Sequence, residues 1–364
     1  MKEKMYFLAP WLADRAKTWS GTVNGIFEAL SSHYEMEDIN LSEIKESPFL
    51  KVIKRLTGSS RDMGIGNYSK YAKTLANRGI NDGVVFQFAE IMYDTDGLKT
   101  YIYQDLSVDY VCYMHDNLPE IFKVSAFQEV DINQAYKRRR LQNEYFSKCA
   151  GIFAMGHWYA EDLIKRVGIP ANKVYAVGGG INVDLHLISS TKKLGNKILF
   201  IGRDFKRKGG HITVEAFKLL REQNPQIELY VAGPQEDPFK GEIIEGYHFM
   251  GDCNRNKIAE LYNMCNVFCM PSYFEAYGLV FIEALTYGLP CIGRNCYEMP
   301  YFIEDGKTGY LLKKDDAEEL AELMNKLLTD ERILNNVKSR KEFYIKEYSW
   351  DSVALRMKKI IKNI

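Results

Sequence analysis

Lys197-Ile198-Leu199-Phe200-Ile201-Gly202-Arg203-Asp204-Phe205-Lys206-Arg207-Lys208-Gly209-Gly210 reads as a strand, a glycine-bounded basic loop and the start of a helix. Residues 211–220 continue with a helix-like pattern. Working outward, further short apolar runs fall at 5–9, 84–88, 101–104, 151–155, 174–177, 228–232, 267–270, 290–293 and 310–312. Amphipathic, helix-like stretches such as 214–223 and 317–328 separate most of them. Strand and helix in alternation give parallel sheets with helices on both faces. Ten such strands are more than one sheet of this kind usually needs, so the expectation is an α/β protein with two sheets in two domains.

The boundary should be loose and polar, and Ser189-Ser190-Thr191-Lys192-Lys193-Leu194-Gly195-Asn196 fits. We expect a first domain over 1–187, a second over 188–345 and a terminal amphipathic helix over 346–364, where Val353, Leu355, Met357, Ile360 and Ile361 stand among basic residues. Residues 41–80 are the least regular part. Within them Phe49-Leu50-Lys51-Val52-Ile53-Lys54-Arg55-Leu56 mixes apolar and basic residues at helical spacing, as a surface, partner or membrane-surface helix does.

A chain of 364 residues is comfortable for two domains. Forty-eight basic residues balance forty-eight acidic ones, so no global field points to nucleic acid or an anionic membrane. The local cluster Lys137-Arg138-Arg139-Arg140 reads as a solvated helix face. Seven scattered cysteines without a C-x-x-C pair argue for reduced thiols. The apolar run Met5-Tyr6-Phe7-Leu8-Ala9 is too short for a signal-peptide core, and no run approaches the ~18 residues that span a bilayer. The expectation is a cytoplasmic enzyme, with association at the inner face of the membrane left open.

Two motifs carry chemistry. The loop 202–210 holds four basic residues and little acid beyond Asp204. Ligands of open parallel sheets bind at the carboxyl ends of strands, so this loop suits a diphosphate, whose leaving-group charge fixed cations stabilise. The second motif is Phe274-Glu275-Ala276-Tyr277-Gly278-Leu279-Val280-Phe281-Ile282-Glu283-Ala284. A helix starting near Gly278 presents free backbone N–H groups to an anion, and Gly278 lets the backbone come close to a ligand. Glu283 then lies one turn behind Leu279, on its face, while Glu275 stays before the helix. Carboxylates accept from paired hydroxyls, as a ribose or a sugar ring offers. A cap and a surface charge is the bland alternative for each glutamate taken alone.

Gly202-Arg203 with Lys208-Gly209, and Pro271-Ser272 with Glu275, Gly278 and Glu283-Ala284, resemble the donor site of retaining glycosyltransferases of family 4, the glycosyl transferases group 1. The segment from Asn254 to Pro271, the loop with Glu298, Glu304-Asp305-Gly306 and Thr308-Gly309, and the closing Tyr348-Ser349-Trp350 agree with it. The resemblance covers 197–350 well and is thinner over 1–187. It implies a GT-B fold: two Rossmann-like domains facing a central cleft, with the terminal helix returning to the first. It implies that Arg203 and Lys208 hold the nucleotide-sugar diphosphate, Glu283 the ribose and Glu275 the donor-sugar hydroxyls. The backbone around Tyr277, Gly278 and Leu279 contacts phosphate or sugar. No metal or further cofactor is implied, because basic residues and a helix end take its place.

The first domain departs from the pattern. Its glycine-rich loop is reduced to Trp19-Ser20-Gly21-Thr22, which leaves Gly21 and Thr22 as donor-site candidates. Where many relatives carry a histidine at a middle strand end, this chain has Tyr103-Gln104-Asp105-Leu106-Ser107. Asp105 either orients the acceptor hydroxyl or the reacting sugar, or caps the next helix. His115-Asp116 are adjacent, and adjacent residues on a helix point apart, so no dyad is expected. His157 follows the strand at 151–155, and no set of residues has metal-ligand spacing. Gly178-Gly179-Gly180 reads as a tight turn.

The expected function is transfer of a hexose-type sugar from a UDP- or GDP-sugar to a hydroxyl of a glycan, lipid-linked or other acceptor, in surface polysaccharide or glycoconjugate synthesis. The rivals are a nucleotide-sugar epimerase and a non-catalytic nucleotide-sugar-binding subunit. A dinucleotide oxidoreductase lacks its G-x-G-x-x-G with an acid ~20 residues on.

Overall fold

Among the described residues two all-parallel six-stranded sheets form, one in each of two compact units. The computed structural model describes residues 2–44, 75, 78, 80, 82–88, 97–189 and 192–364; the amphipathic stretch at 49–56 and most of 41–80 lie outside the described residues. Unit 1 holds Met1–Lys123, Phe127–Gly180 and Ser349–Ile364, and unit 2 holds Val124–Ala126 and Ile181–Tyr348.

Unit 1 is built on β1 (Lys4–Ala9), β2 (Glu35–Asn40), β3 (Val84–Phe88), β4 (Lys99–Gln104), β5 (Gly151–Ala154) and β6 (Val174–Ala176), ordered β2-β1-β3-β4-β5-β6. Every residue of β3 is buried, as is all of β1 after Lys4. A strand covered on both faces has no polar side to alternate with, so it reads as an unbroken apolar run. The exceptions include two glutamines whose amides reach tyrosines: Gln87 donates to the Tyr145 hydroxyl and Gln104 to the Tyr159 hydroxyl. Unit 2 is built on β7 (Lys197–Ile201), β8 (Glu228–Ala232), β9 (Tyr247–Gly251), β10 (Val267–Cys269), β11 (Cys291–Arg294) and β12 (Gly309–Leu312), ordered β12-β11-β10-β7-β8-β9. Counted within the unit, that is the doubly wound order 3-2-1-4-5-6 in reverse listing, which reverses direction between β7 and β10.

All ten anticipated strands are present to within one or two residues, and β2 and β9 are additions. Both additions are sheet edges. In Glu35-Met36-Glu37-Asp38-Ile39-Asn40 only Ile39 is fully buried, and β9 is half-buried throughout. Edge strands keep polar groups that discourage pairing with other chains, and so they lack the apolar signature.

The polar stretch before β7 is less loose than it reads. Lys192 is 8% exposed and donates to the Asn263 and Cys265 carbonyls at 2.8 and 2.5 Å, and to that of Tyr262. It closes the carboxyl end of the helix Arg255–Met264, where carbonyls lack intrahelical partners.

The terminal helix Trp350–Asn363 belongs to unit 1, where it packs on the helix Thr22–Ser31. Ser349 accepts from the Ser352 amide as its cap, and Arg356 donates to the Val177 carbonyl at 2.8 Å. The Trp350 indole lies directly against two glycine backbones. A Cβ on Gly25 would fall 2.2 Å from it, and one on Gly180 2.3 Å from it. Gly180 of the glycine run thus makes room for a tryptophan. Gly→Ala inside a helix normally stabilises by roughly 1 kcal/mol. Here the ring is held between two backbones and cannot retreat, so Gly25→Ala should instead destabilise by about 1–3 kcal/mol. Thermal unfolding that shows the ordinary gain would refute this packing.

Candidate active site

The direction of unit 2's strand order changes between β7 and β10, and the crevice outside two such carboxyl ends is where open α/β sheets take ligands. The two motifs singled out by sequence are the loops that leave these strands. The β7 loop coils tightly: the Lys208 amide donates to the Asp204 carbonyl at 3.0 Å and the Gly210 amide to that of Phe205 at 2.8 Å. Gly202 has no side chain because the stem of Lys208 passes there; a Cβ would lie 2.8 Å from Lys208 Cγ. Gly209 takes φ +77° and abuts the other loop, with its Cβ position only 2.4 Å from the Pro271 carbonyl oxygen. Backbone contact between the loops therefore depends on glycine.

This contact brings the Lys208 ammonium onto the Glu275 carboxylate. Their side chains are 13% and 8% exposed, so the pair is almost dry. Ser272 Oγ adds a donor to Glu275 at 3.3 Å. Burial pulls the Lys208 ammonium below its ordinary range, and the Glu275 charge opposes that pull. The structure thus places the residue expected at the diphosphate and the residue expected at the sugar on each other.

Gly278, at φ +98°, precedes the helix Leu279–Thr286. A Cβ there would approach Phe281 to 3.0 Å and Glu275 Cγ to 3.1 Å, so this position also needs glycine. The helix carries Glu283 in its second turn, as anticipated. Glu283 has different partners from Glu275: the Asn182 amide at 3.4 Å and the Tyr262 hydroxyl at 3.3 Å. Burial pushes its carboxyl up to about 7, against those two bonds. Tyr277 is buried, with its ring edge-on to Phe302 at 5.1 Å.

Of the four basic residues in the β7 loop, not all face outward. Arg203 is 81% exposed, 3.4 Å from Asp252. Arg207 is turned inward, donating to Asp204 at 3.0 Å and to the Phe274 carbonyl at 2.7 Å. The sequence reading missed Arg207's inward role, Tyr262 and Asn182 beside Glu283, and Arg294 at the end of β11. Only the position of Arg294 at a strand's carboxyl end hinted at it.

In unit 1 the reduced glycine loop adopts three left-handed residues in succession: Trp19 at φ 47°, Ser20 at 59° and Gly21 at 94°. They lead into the helix that begins at Thr22, which is buried. Asp105 follows β4 and is half-buried. It is not the cap of the next helix: Ser107 is, accepting from the Tyr110 amide at 3.1 Å. The expectation that His115 and Asp116 point apart is overturned. His115 Nδ1 lies 2.8 Å from Asp116 Oδ1, and the Tyr136 hydroxyl also donates to Asp116. The pair sits in the last turn of its helix, where Asp116 turns toward Tyr136 on the neighbouring helix. His157 is exposed at the start of the helix His157–Asp162. Among the described residues no three His, Cys, Asp or Glu side chains gather as a metal site would require. Among them, too, no helix is long and apolar enough to cross a membrane.

The family model described as "Glycosyl transferases group 1" matches residues 188–350, the span that contains both loops and both glutamates. That span, a little under half of the chain, is similar to the glycosyl transferases group 1. The chain also has relatives among curated proteins. The serotype-specific mannosyltransferase WbdA of Escherichia coli is 23% identical over 266 residues, 67% of this chain and 32% of WbdA. The phosphatidyl-myo-inositol mannosyltransferase of Mycobacterium leprae is 23% identical over 222 residues, 58% of this chain and 59% of that protein. The chain thus spans about a third of the length of the first and under two thirds of the second. Among solved structures, WaaG, a glycosyltransferase involved in lipopolysaccharide biosynthesis, aligns over 99% of this chain and all of its own, with TM-score 0.67 and 18% identity. The Anabaena protein HepE, solved with UDP and glucose, aligns over the whole of both chains with TM-score 0.66 and 12% identity. These likenesses, with the two parallel Rossmann-like units, establish the GT-B fold expected from the resemblance.

Proposed function

We propose that this protein is a retaining hexosyltransferase that moves a sugar from a UDP- or GDP-sugar to a hydroxyl of a glycan or lipid-linked acceptor. The observation that carries the reading is the nearly dry Lys208–Glu275 pair at the switch point of a group 1 domain, beside the amino end of the helix Leu279–Thr286. In this reading the pair opens onto the donor. Lys208 and Arg203 turn to the diphosphate with the helix's free N–H groups, and Glu275 accepts from sugar hydroxyls. Lys208 and the helix end supply the counter-charge that a divalent metal supplies elsewhere. The departing diphosphate takes the proton of the incoming hydroxyl on the same face, so no protein nucleophile is required. Gly21 and Thr22 are further donor contacts, and Asp105 orients the acceptor hydroxyl or the reacting sugar. Two compared relatives are named as mannosyltransferases, which makes GDP-mannose the donor to try first.

A thermal-shift screen over nucleotide-diphosphate sugars, followed by hydrolysis and transfer assays, tests the reading, since binding to the folded state stabilises it. Turnover unaffected in folded Lys208→Ala and Glu275→Ala variants would sink it, and donor binding without turnover on a broad acceptor panel favours the non-catalytic alternative.

Glu283 supplies a pH test. Its carboxyl, raised to about 7, is largely protonated below neutrality. Ribose hydroxyls donate best to the ionised form, so bound donor lowers this value and releases a proton. Affinity for UDP-glucose or GDP-mannose should therefore rise with pH from about 5 to about 7 and then level off. Calorimetry at pH 6 in two buffers of different ionisation enthalpy should show the released proton, and Glu283→Gln should weaken nucleotide binding and abolish the release. A buffer-independent heat would contradict the assignment.

A further inference from the structure

We propose that Arg207 and Arg294 are positioning residues for Glu275, two guanidinium groups that grip the main chain of the segment Pro271–Glu275, one from the β7 loop and one from the end of β11. The inference rests on the transferase reading for its consequence, though not for its geometry.

The segment leaves β10 as irregular chain, and such chain keeps its shape only if its polar groups find partners outside it. Of the bonds that Arg207 makes, two go to the segment. Its carbonyl accepts from the Tyr273 amide at 2.9 Å, its Nη1 donates to the Phe274 carbonyl at 2.7 Å, and its Nε is tied to Asp204 at 3.0 Å. Arg294, at the end of β11, approaches from the other side. Its Nε donates to the Pro271 carbonyl at 3.3 Å and its Nη2 to Asp315 at 2.8 Å. Its guanidinium lies over the Tyr273 ring, 4.3 Å from the ring centre, and the Tyr273 hydroxyl donates to the same Asp315 at 3.0 Å. The Phe274 ring meets Tyr297 edge-on at 5.0 Å, and Tyr297 itself is held at φ +54°. A bulky residue in that region costs energy and persists only where its surroundings impose it.

Pro271, Tyr273 and Phe274 are therefore each held from outside, while the Glu275 carboxylate accepts from Ser272 and Lys208. The two arginine side chains are only 16% and 15% exposed, which suits a structural grip better than ligand capture. A planar fork serves a carbonyl and a carboxylate at once and stacks on a ring; a lysine does not. Holding the carboxylate to a fraction of an ångström matters, because a misplacement of about 1 Å costs up to ~100-fold in rate.

Two measurements on Arg294→Met and Arg294→Lys test this. Hydrogen exchange should rise in the peptide covering 270–277 in both variants, and less elsewhere in unit 2. With UDP-glucose or GDP-mannose as donor, kcat should fall about 10- to 100-fold in Arg294→Met and somewhat less in Arg294→Lys, while the donor KM changes less than about threefold. Unchanged exchange at 270–277 overturns the grip, and so does a loosened segment with unchanged kcat. If the unsubstituted chain turns over no donor, the transferase reading falls while the exchange measurement still decides the grip.

Discussion

Lys208→Met should lower kcat/KM for the nucleotide-sugar donor by about 10²–10³-fold, the usual loss when one fixed charge or donor is removed from a developing anion. It should also destabilise the protein. Methionine keeps most of the stem's volume, so packing against Gly202 survives. What it cannot keep is the partner of Glu275, whose side chain is 8% exposed and, among the described residues, otherwise has only the Ser272 hydroxyl, at 3.3 Å. Removing one member of a buried pair typically costs 3–5 kcal/mol, because the other charge stays behind. The two losses separate in the double variant. In Lys208→Met/Glu275→Gln no charge is left buried, and Ser272 can still donate to the amide oxygen. Denaturant unfolding should recover most of the lost stability, whereas turnover should remain at the level of the worse single variant. A double variant that regains activity with stability would show that the pair is structural and that the diphosphate is held elsewhere. If Glu275→Gln alone is fully active, the carboxylate has no place at the sugar.

Gly209→Ala should damage both the stability of the second unit and the turnover at its site. Two costs combine. Gly209 lies at φ +77°, where an alanine is disfavoured by roughly 1–2 kcal/mol. Its new methyl would stand 2.4 Å from the Pro271 carbonyl oxygen and 3.1 Å from the proline ring. These are not the far ends of flexible side chains, so the β7 and β10 loops must separate. The expected total is about 2–4 kcal/mol of stability. Because separation draws Lys208 away from Glu275, turnover should fall as well, by ~10²-fold for a shift of about 1 Å. Gly241→Ala is the matched control. Gly241 has a similar φ of +94° but nothing within 4 Å of its Cβ position, so only the conformational cost remains. Equal losses of stability in both variants, measured by chemical denaturation, would mean that the contact with Pro271 contributes nothing.

Much of this arrangement was legible along the chain because it is local. Residues 197–201 and 267–270 read as strands, since a strand buried on both faces must be apolar throughout. Gly278 read as a helix start with Glu283 one turn on, which is a matter of helical period alone. What went unread fails the same tests. Strands β2 and β9 are edges, and their polar residues hide them. His115 and Asp116 meet because a helix end relaxes the rule that neighbours diverge, and because Tyr136, twenty residues on, draws Asp116 in. Arg207 looked like one more cation for a phosphate. Its inward turn depends on the Phe274 carbonyl, sixty-seven residues away.

By itself the sequence determined two parallel α/β units, the glycines at the strand-to-helix turns, and the basic loop and the glutamate pair at two of those turns. Those follow from residue type and spacing within a single strand, turn or helix. Only the tertiary structure decided that the strand order reverses between β7 and β10, and that Lys208 and Glu275 meet there out of water. No local pattern encodes which strands become neighbours. That choice is made when whole apolar faces are buried together, and it turns two separately readable loops into one site.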